Sequence, residues 1–251
     1  MAGGTIDKIL SLAGTELKLL FRNRTVAVSS VLVPIALGLF WALTLGDGGP
    51  QAWSLVIALQ LAVTLGMGIY VTATQIVVAR RHNLVLKRMR TSGISDAGLL
   101  VATVAPSVLL GIGQLVIFAV INAMFGAPAP GAPVPLVLAV LAGLALMVAA
   151  ALATTVVTPS PERAQITTLP LVFVVLGAAV ALLMLPVEGW WRALVALPGA
   201  GIGQLVRLAF DADAATGGLP AMLLAALTLL AWTVLFGWFA HRRFRWDPRT
   251  G

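Results

Sequence analysis

The sequence predicts an all-α polytopic membrane protein: six transmembrane helices, an N-terminal amphipathic interface helix and short outer re-entrant helices. Three observations carry this reading. Of the 251 residues, 60% are apolar and 10% charged, with a mean hydropathy of +1.02, whereas a soluble domain carries about 25% charged residues on its surface. The apolar residues gather into six runs, about 26–45, 53–79, 97–125, 135–157, 166–186 and 219–240, each long enough to cross the ~30 Å hydrocarbon core as a helix. These runs are continuous, not ten-residue stretches of alternating polarity, which excludes a β-barrel. Residues 1–251 therefore read as a single transmembrane domain with no room for a soluble catalytic one.

The charges set the topology. Of the 16 Lys and Arg, all but Arg192 and Arg207 fall in the N-terminal arm, the 80–98 loop, the turn at Arg163 and the tail 241–251. An excess of basic residues marks cytoplasmic loops, so both termini and the basic loop are expected in the cytoplasm. The net charge of +7 then reflects topology and contact with anionic membrane lipid, not nucleic acid. With no cysteine there is no disulfide framework and no thiolate. The first apolar run opens only at Val26 and reads as an uncleaved span, not a signal peptide.

In chain order, residues 5–22 read as the amphipathic helix, with Ile6, Ile9, Leu10, Leu17 and Phe21 on one face and Lys8, Lys18 and Arg22 on the other. It serves either as a surface anchor or as a lever for a cytoplasmic partner. The first span ends at Trp41 and the turn Gly46-Asp47-Gly48-Gly49-Pro50; Trp53 opens the return, so two tryptophans bracket an outer interface. The second span carries a seam of Gln60, Thr64, Gly68, Val71 and Gln75, with Met67 beside it, spaced for one helix face. That seam is either ordinary small-and-polar helix packing or the lining of a substrate path at a subunit interface. Arg80 to Gly93 form the basic hairpin; Gly93 is a helix stop and Ser95 an N-cap for the third span, where Pro106 predicts a kink. Ala127 to Pro133 is a short turn, and Thr158 to Arg163 a second cytoplasmic one. The apolar stretch from Glu188 to Phe210, broken by Pro198 and Gly199 to Gly203, is expected to dip into the outer leaflet as short half-helices covered by protein or water.

Several chemistries are missing. No Asp, Glu, Lys, Arg or His lies inside the six runs, which argues against proton coupling through a buried carboxylate. His82 and His241 sit in basic flanks without a carboxylate cluster, so neither metal nor hydrolase chemistry is expected. None of the three lysines follows a glycine, so there is no phosphate-binding loop. The chain is expected to be no enzyme, and to draw any work from outside itself.

The basic arm, the six spans, the run Leu86-Lys87-Arg88-Met89-Arg90-Thr91-Ser92-Gly93-Ile94-Ser95 and the outer stretch from Leu185-Pro186 through Pro198 to Arg207 together resemble the membrane subunit of type-2 ATP-binding-cassette (ABC) exporters. The likeness is closest to the bacterial drug and antibiotic exporter branch, and the Leu-Lys-Arg-x-Arg-Thr run is its most specific part. It implies a coupling helix for an ABC ATPase at Arg80, Arg81, Asn83, Leu84, Leu86, Lys87, Arg88, Met89 and Arg90, an interface helix at 5–22 and a re-entrant pair at 187–212. It further implies two copies of the ATPase, which would hold ATP and Mg, and a second permease subunit, identical or paralogous. The substrate path would then involve Gln60, Thr64, Met67, Val71 and Gln75, the location would be the bacterial inner membrane, and the cargo an amphipathic or lipophilic molecule. The alternative from another class is a non-transporting anchor or immunity subunit whose basic loop recruits a soluble partner.

Overall fold

A computed structural model describes residues 32–86, 95–184, 189–210, 218–244 and 246. The expected interface helix with Lys8, Lys18 and Arg22, the start of the first span, Lys87 to Ile94 and most of the tail lie outside these residues. Among the described residues every regular element is helical.

Helix α1 (Val33–Leu45) runs into a 3-10 turn, Gly46–Gly48, and the chain returns through α2 (Gly49–Val63). Gly49 makes the reversal possible, because its φ of +77° lies where side chains are rarely tolerated. These elements open one apolar stretch of 50 residues, Val33–His82. It holds two of the expected spans, because it folds back on itself. In a straight helix Gly38 and Gln60 would stand about 33 Å apart, yet Gln60 Nε2 donates to the Gly38 carbonyl at 3.1 Å. Trp53 is only 2% exposed and lies against the turn, where a Cβ on Gly46 would approach its ring to 2.9 Å. Trp53, expected with Trp41 at the outer interface, packs the reversal from inside.

Helix α2 passes without a break through a π-helical stretch, Thr64–Val71, into α3 (Thr72–His82). Thr72 Oγ1 donates to the Met67 carbonyl five residues back, at 3.3 Å, as the wider turn requires. Here the chain touches α4 (Asp96–Met124) closely: a Cβ on Gly68 would meet Gln114 at 2.6 Å, and one on Gly111 would meet Ile69 at 2.5 Å. Ser95 does cap α4, its Oγ accepting the Gly98 N–H at 3.2 Å, with Asp96 in the first turn. Helices α5 (Pro133–Val157) and α6 (Pro161–Met184) meet at Thr158-Pro159-Ser160-Pro161, where the residue before each proline is pushed out of helix. The sixth long element is α8 (Gly218–Arg243).

Between α6 and α8 the chain enters the bundle and comes back. A 3-10 segment, Gly189–Ala196, leads to a turn at Leu197–Gly199 and then to α7 (Ala200–Phe210). Trp232, 14 residues or about 21 Å along α8, donates its Nε1–H to the Ala196 carbonyl at 2.7 Å. At the other end of α7 the Ala209 carbonyl accepts from Ala132 N, just ahead of α5, at 3.1 Å. The segment is therefore re-entrant, as expected, and α7 is buried along most of its length against α2, α5, α6 and α8.

Glycines let it fit. A Cβ on Gly201 would lie 2.6 Å from the Ala225 carbonyl of α8, and one on Gly203 would run into the Ala179 carbonyl of α6. Both obstacles are backbone and cannot rotate away. Gly203→Ala is accordingly expected to abolish the monodisperse folded peak in fluorescence-detected size-exclusion chromatography. Gly177→Ala, on α6 where an added Cβ would have nothing within 4 Å, should leave that peak intact and raise stability by about 0.5–1 kcal/mol.

Candidate functional site

Two regions of the bundle hold the residues singled out by the sequence: the end carrying the basic loop, here the basic end, and a cavity nearer the far end.

At the basic end α3 stops at His82 because Leu84 takes a φ of 59°, left-handed and unusual for a leucine. Asn83 N bonds to the Ala79 carbonyl at 3.0 Å and Leu84 N to the Arg81 carbonyl at 3.1 Å, which closes the turn. Residues 85 and 86 are helical again. The single coupling helix expected across Arg80 to Arg90 is thus broken at Asn83–Leu84, and its first two residues belong to the membrane helix instead.

Arg80 and Arg81, counted among the expected coupling residues, both turn inward. Arg81 is 1% exposed, and its guanidinium donates through Nη1 to the Thr155 carbonyl at 2.8 Å and through Nη2 to the Thr158 carbonyl. The last carbonyls of α5 have no partner within their own helix, since Pro159 and Pro161 cannot continue it. A forked cation satisfies two at once and also suits the negative end of the helix dipole. Arg80, 9% exposed, donates to Thr103 Oγ1 of α4 at 3.2 Å. Leu86 is fully buried in the main apolar core. Of the expected docking set, Asn83 and Leu84 are left exposed, next to exposed Val85, while Lys87, Arg88, Met89 and Arg90 lie outside the described residues. Thr158 Oγ1 shares a hydrogen bond of 2.9 Å with Thr167 Oγ1, so the Arg81 anchor reaches α6 as well.

The expected seam on the second span divides. Gln60 and Thr64 are buried, as is Gly68, whereas Met67, Val71 and Gln75 are half-buried and follow one another at intervals of four. Gln60 does not face an open side of the helix. Its amide forms a reciprocal pair with Asn122 of α4, Gln60 Nε2 donating to Asn122 Oδ1 at 3.0 Å and Asn122 Nδ2 to Gln60 Oε1 at 2.8 Å. Both amides line a cavity of about 480 Å³ between α2, α4, α5 and Phe210, whose other walls are apolar. Asn122 escapes a reading of the sequence, although a lone asparagine near the end of an apolar run is a visible signal. Nor does the sequence indicate the hydrogen bond of 2.9 Å that Tyr70 Oη shares with Thr154 Oγ1, tying the π-helical stretch to α5.

Five apolar helical stretches, one of them folded into two arms, together with a re-entrant pair define a multi-pass helical membrane protein. Residues 7–198 match the family described as ABC-2 type transporter, and the chain belongs to that family. It is a transporter permease subunit, of a kind that generally works with an ABC ATPase. No curated protein and no solved structure matches it.

Arg81→Met is expected to leave two helix-end carbonyls unsatisfied and to cost about 1–3 kcal/mol, seen as a fall in melting temperature of the detergent-purified protein. Arg80→Met loses a bond to a hydroxyl that can still bond to the Leu99 carbonyl, and its melting temperature should fall by clearly less. Arg81→Lys, without the fork, should lie between wild type and Arg81→Met.

Proposed function

We propose that the chain is the membrane-spanning subunit of an ATP-driven exporter in the bacterial cytoplasmic membrane, moving an amphipathic or lipophilic cargo outward. Both termini and the basic end face the cytoplasm in this reading, and the chain itself hydrolyses no ATP. Two copies of a separate ABC ATPase, holding ATP and Mg, dock on the basic loop. A second permease, identical or paralogous, completes the path, with half-buried Met67 and Val71 of the π-helical stretch and Gln75 of α3 turned towards it.

The observation that carries the proposal is the ABC-2 match over 7–198. Three physical features support it. The expected spans hold no ionisable group that could couple transport to an ion gradient, so the work has to arrive at an end. The basic end offers an exposed, strained tip at Asn83–Leu84 backed by a buried anchor at Arg81. A contact made at that tip is thereby linked to the α5–α6 turn through Arg81 and Thr158, not dissipated in a loose loop. The uncharged, mostly apolar cavity suits an amphipathic or lipophilic cargo better than an ionic one.

Arg88→Glu combined with Arg90→Glu tests the docking role. Gentle detergent extraction of the tagged wild-type protein from its native membrane should bring down a stoichiometric ATPase. The double variant should recover at least tenfold less of it and transport correspondingly less, with its melting temperature unchanged. Unchanged ATPase recovery together with unchanged transport would remove the docking role; absence of any ATPase from an intact wild-type preparation would favour the anchor reading.

A further inference from the structure

The cavity between α2, α4 and α5 holds more information than its size. Its volume of about 480 Å³ falls within the ~300–1,000 Å³ of small-molecule sites. None of its walls carries a charge, and Gln60 and Asn122 are the side-chain amides among them. Which amide atom is which is fixed by an outside reference: the Gly38 carbonyl can only accept, so the Gln60 atom facing it at 3.1 Å is the nitrogen. The reciprocal pairing then fixes Asn122 as well, with Oδ1 towards Gln60 Nε2 and Nδ2 towards Gln60 Oε1.

The amide hydrogens can then be assigned one by one. Gln60 donates both of its N–H groups, one to Gly38 and one to Asn122. Asn122 donates one, to Gln60, and among the described residues its second N–H finds no acceptor. Simple helix-to-helix adhesion accounts for the reciprocal pair but not for this leftover donor. Asn122 is 8% exposed, and a donor this buried is costly to leave unmet. Apart from this amide pair no polar side chain lines the cavity, so a water bound there would need the backbone of Ala127–Pro130 for its further partners. The group that suits the place is a single oxygen acceptor attached to an apolar body. An ionised headgroup does not suit it, because the walls offer no counter-charge to offset its desolvation. Access comes from the outer surface of α4, where Ala119 and Ala123 are exposed and also line the cavity.

We propose that this cavity, contained within one subunit, binds an uncharged amphiphile whose carbonyl or hydroxyl oxygen accepts the free Asn122 N–H while its apolar body packs against Phe118, Leu136 and Phe210. The site deepens the transport reading by naming a cargo class. Its test contains no ATPase, however, so failure here leaves the permease assignment standing, and failure of that assignment leaves the binding result standing.

The experiment uses the full chain in phosphatidylcholine nanodiscs with three diazirine probes of equal chain length: a monoacylglycerol, the free fatty acid and the plain hydrocarbon. Monoacylglycerol is expected to label α4 around Phe118 to Ala123 saturably, and unlabelled monoacylglycerol to compete. Ala123→Trp, which fills the cavity from an exposed position and should fold normally, is expected to reduce that labelling at least tenfold. Asn122→Leu is expected to reduce monoacylglycerol labelling at least tenfold while leaving the hydrocarbon's unchanged. Lipid analysis of the purified wild-type protein separates the sources: a neutral lipid that survives purification and is absent from Ala123→Trp is a resident of the membrane, whereas an empty site that fills on addition binds a transient cargo. The proposal is overturned if labelling is unsaturable, if Ala123→Trp leaves it unchanged, or if the fatty acid or the hydrocarbon labels as well as the monoacylglycerol.

Discussion

A turn of non-helical backbone inside a membrane survives only if protein takes over what water would have done, and Leu197–Gly199 is such a turn. Trp232 supplies a donor to Ala196, and backbone bonds run from Leu197 N to the Leu194 carbonyl, from Ala200 N to the Leu197 carbonyl and from Ile202 N to the Gly199 carbonyl. Satisfying those groups requires α6 and α8 to come close on both sides. Only glycine permits that, at Gly201 against Ala225 and at Gly203 against Ala179. Once α7 is seated, its side chains Ile202, Leu205 and Val206 become the centre of the core on which α2, α5, α6 and α8 pack. The arrangement of the long helices is thus a consequence of having to cover one short irregular segment.

The basic end obeys the same constraint in another form. Helix α5 must stop at the Pro159 and Pro161 pair, and its last carbonyls would be stranded next to hydrocarbon. Arg81 meets them from a different helix. That placement reverses the usual meaning of a basic residue at a membrane boundary: instead of reaching for headgroups, the charge is held inside, on backbone dipoles. Displacing the end of α3 therefore displaces the end of α5, and through the Thr158–Thr167 bond the start of α6.

These cases also explain what the sequence could and could not disclose. The long helices were legible to within a few residues because hydropathy alone decides which stretches lie in lipid, and Ser95 was legible because an N-cap is a local event. The re-entrant pair was legible because proline and glycine inside an apolar stretch conflict with a simple span. Arg81, Trp53 and Asn122 were not, because each answers a need created by a distant part of the chain: the free carbonyls of α5, the turn at Gly46, and Gln60. Charge and hydropathy describe where a residue can go, not which remote group is waiting for it.

The divided seam is the sharpest case. Gln60, Thr64, Gly68, Val71 and Gln75 share a face only if every turn is an α-turn, and the π-helical stretch Thr64–Val71 adds about one residue per turn. The extra residue rotates α3 relative to α2. Gln60 then turns inward to Asn122 and the cavity, while Val71 and Gln75 stay at the half-buried margin with Met67. One polar stripe becomes two surfaces, the first facing the chain's own interior and the second facing outward. A helix regular throughout would have had to choose between lining a cavity with Gln60 and presenting Gln75 at its margin; the π-helical stretch lets a single helix do both.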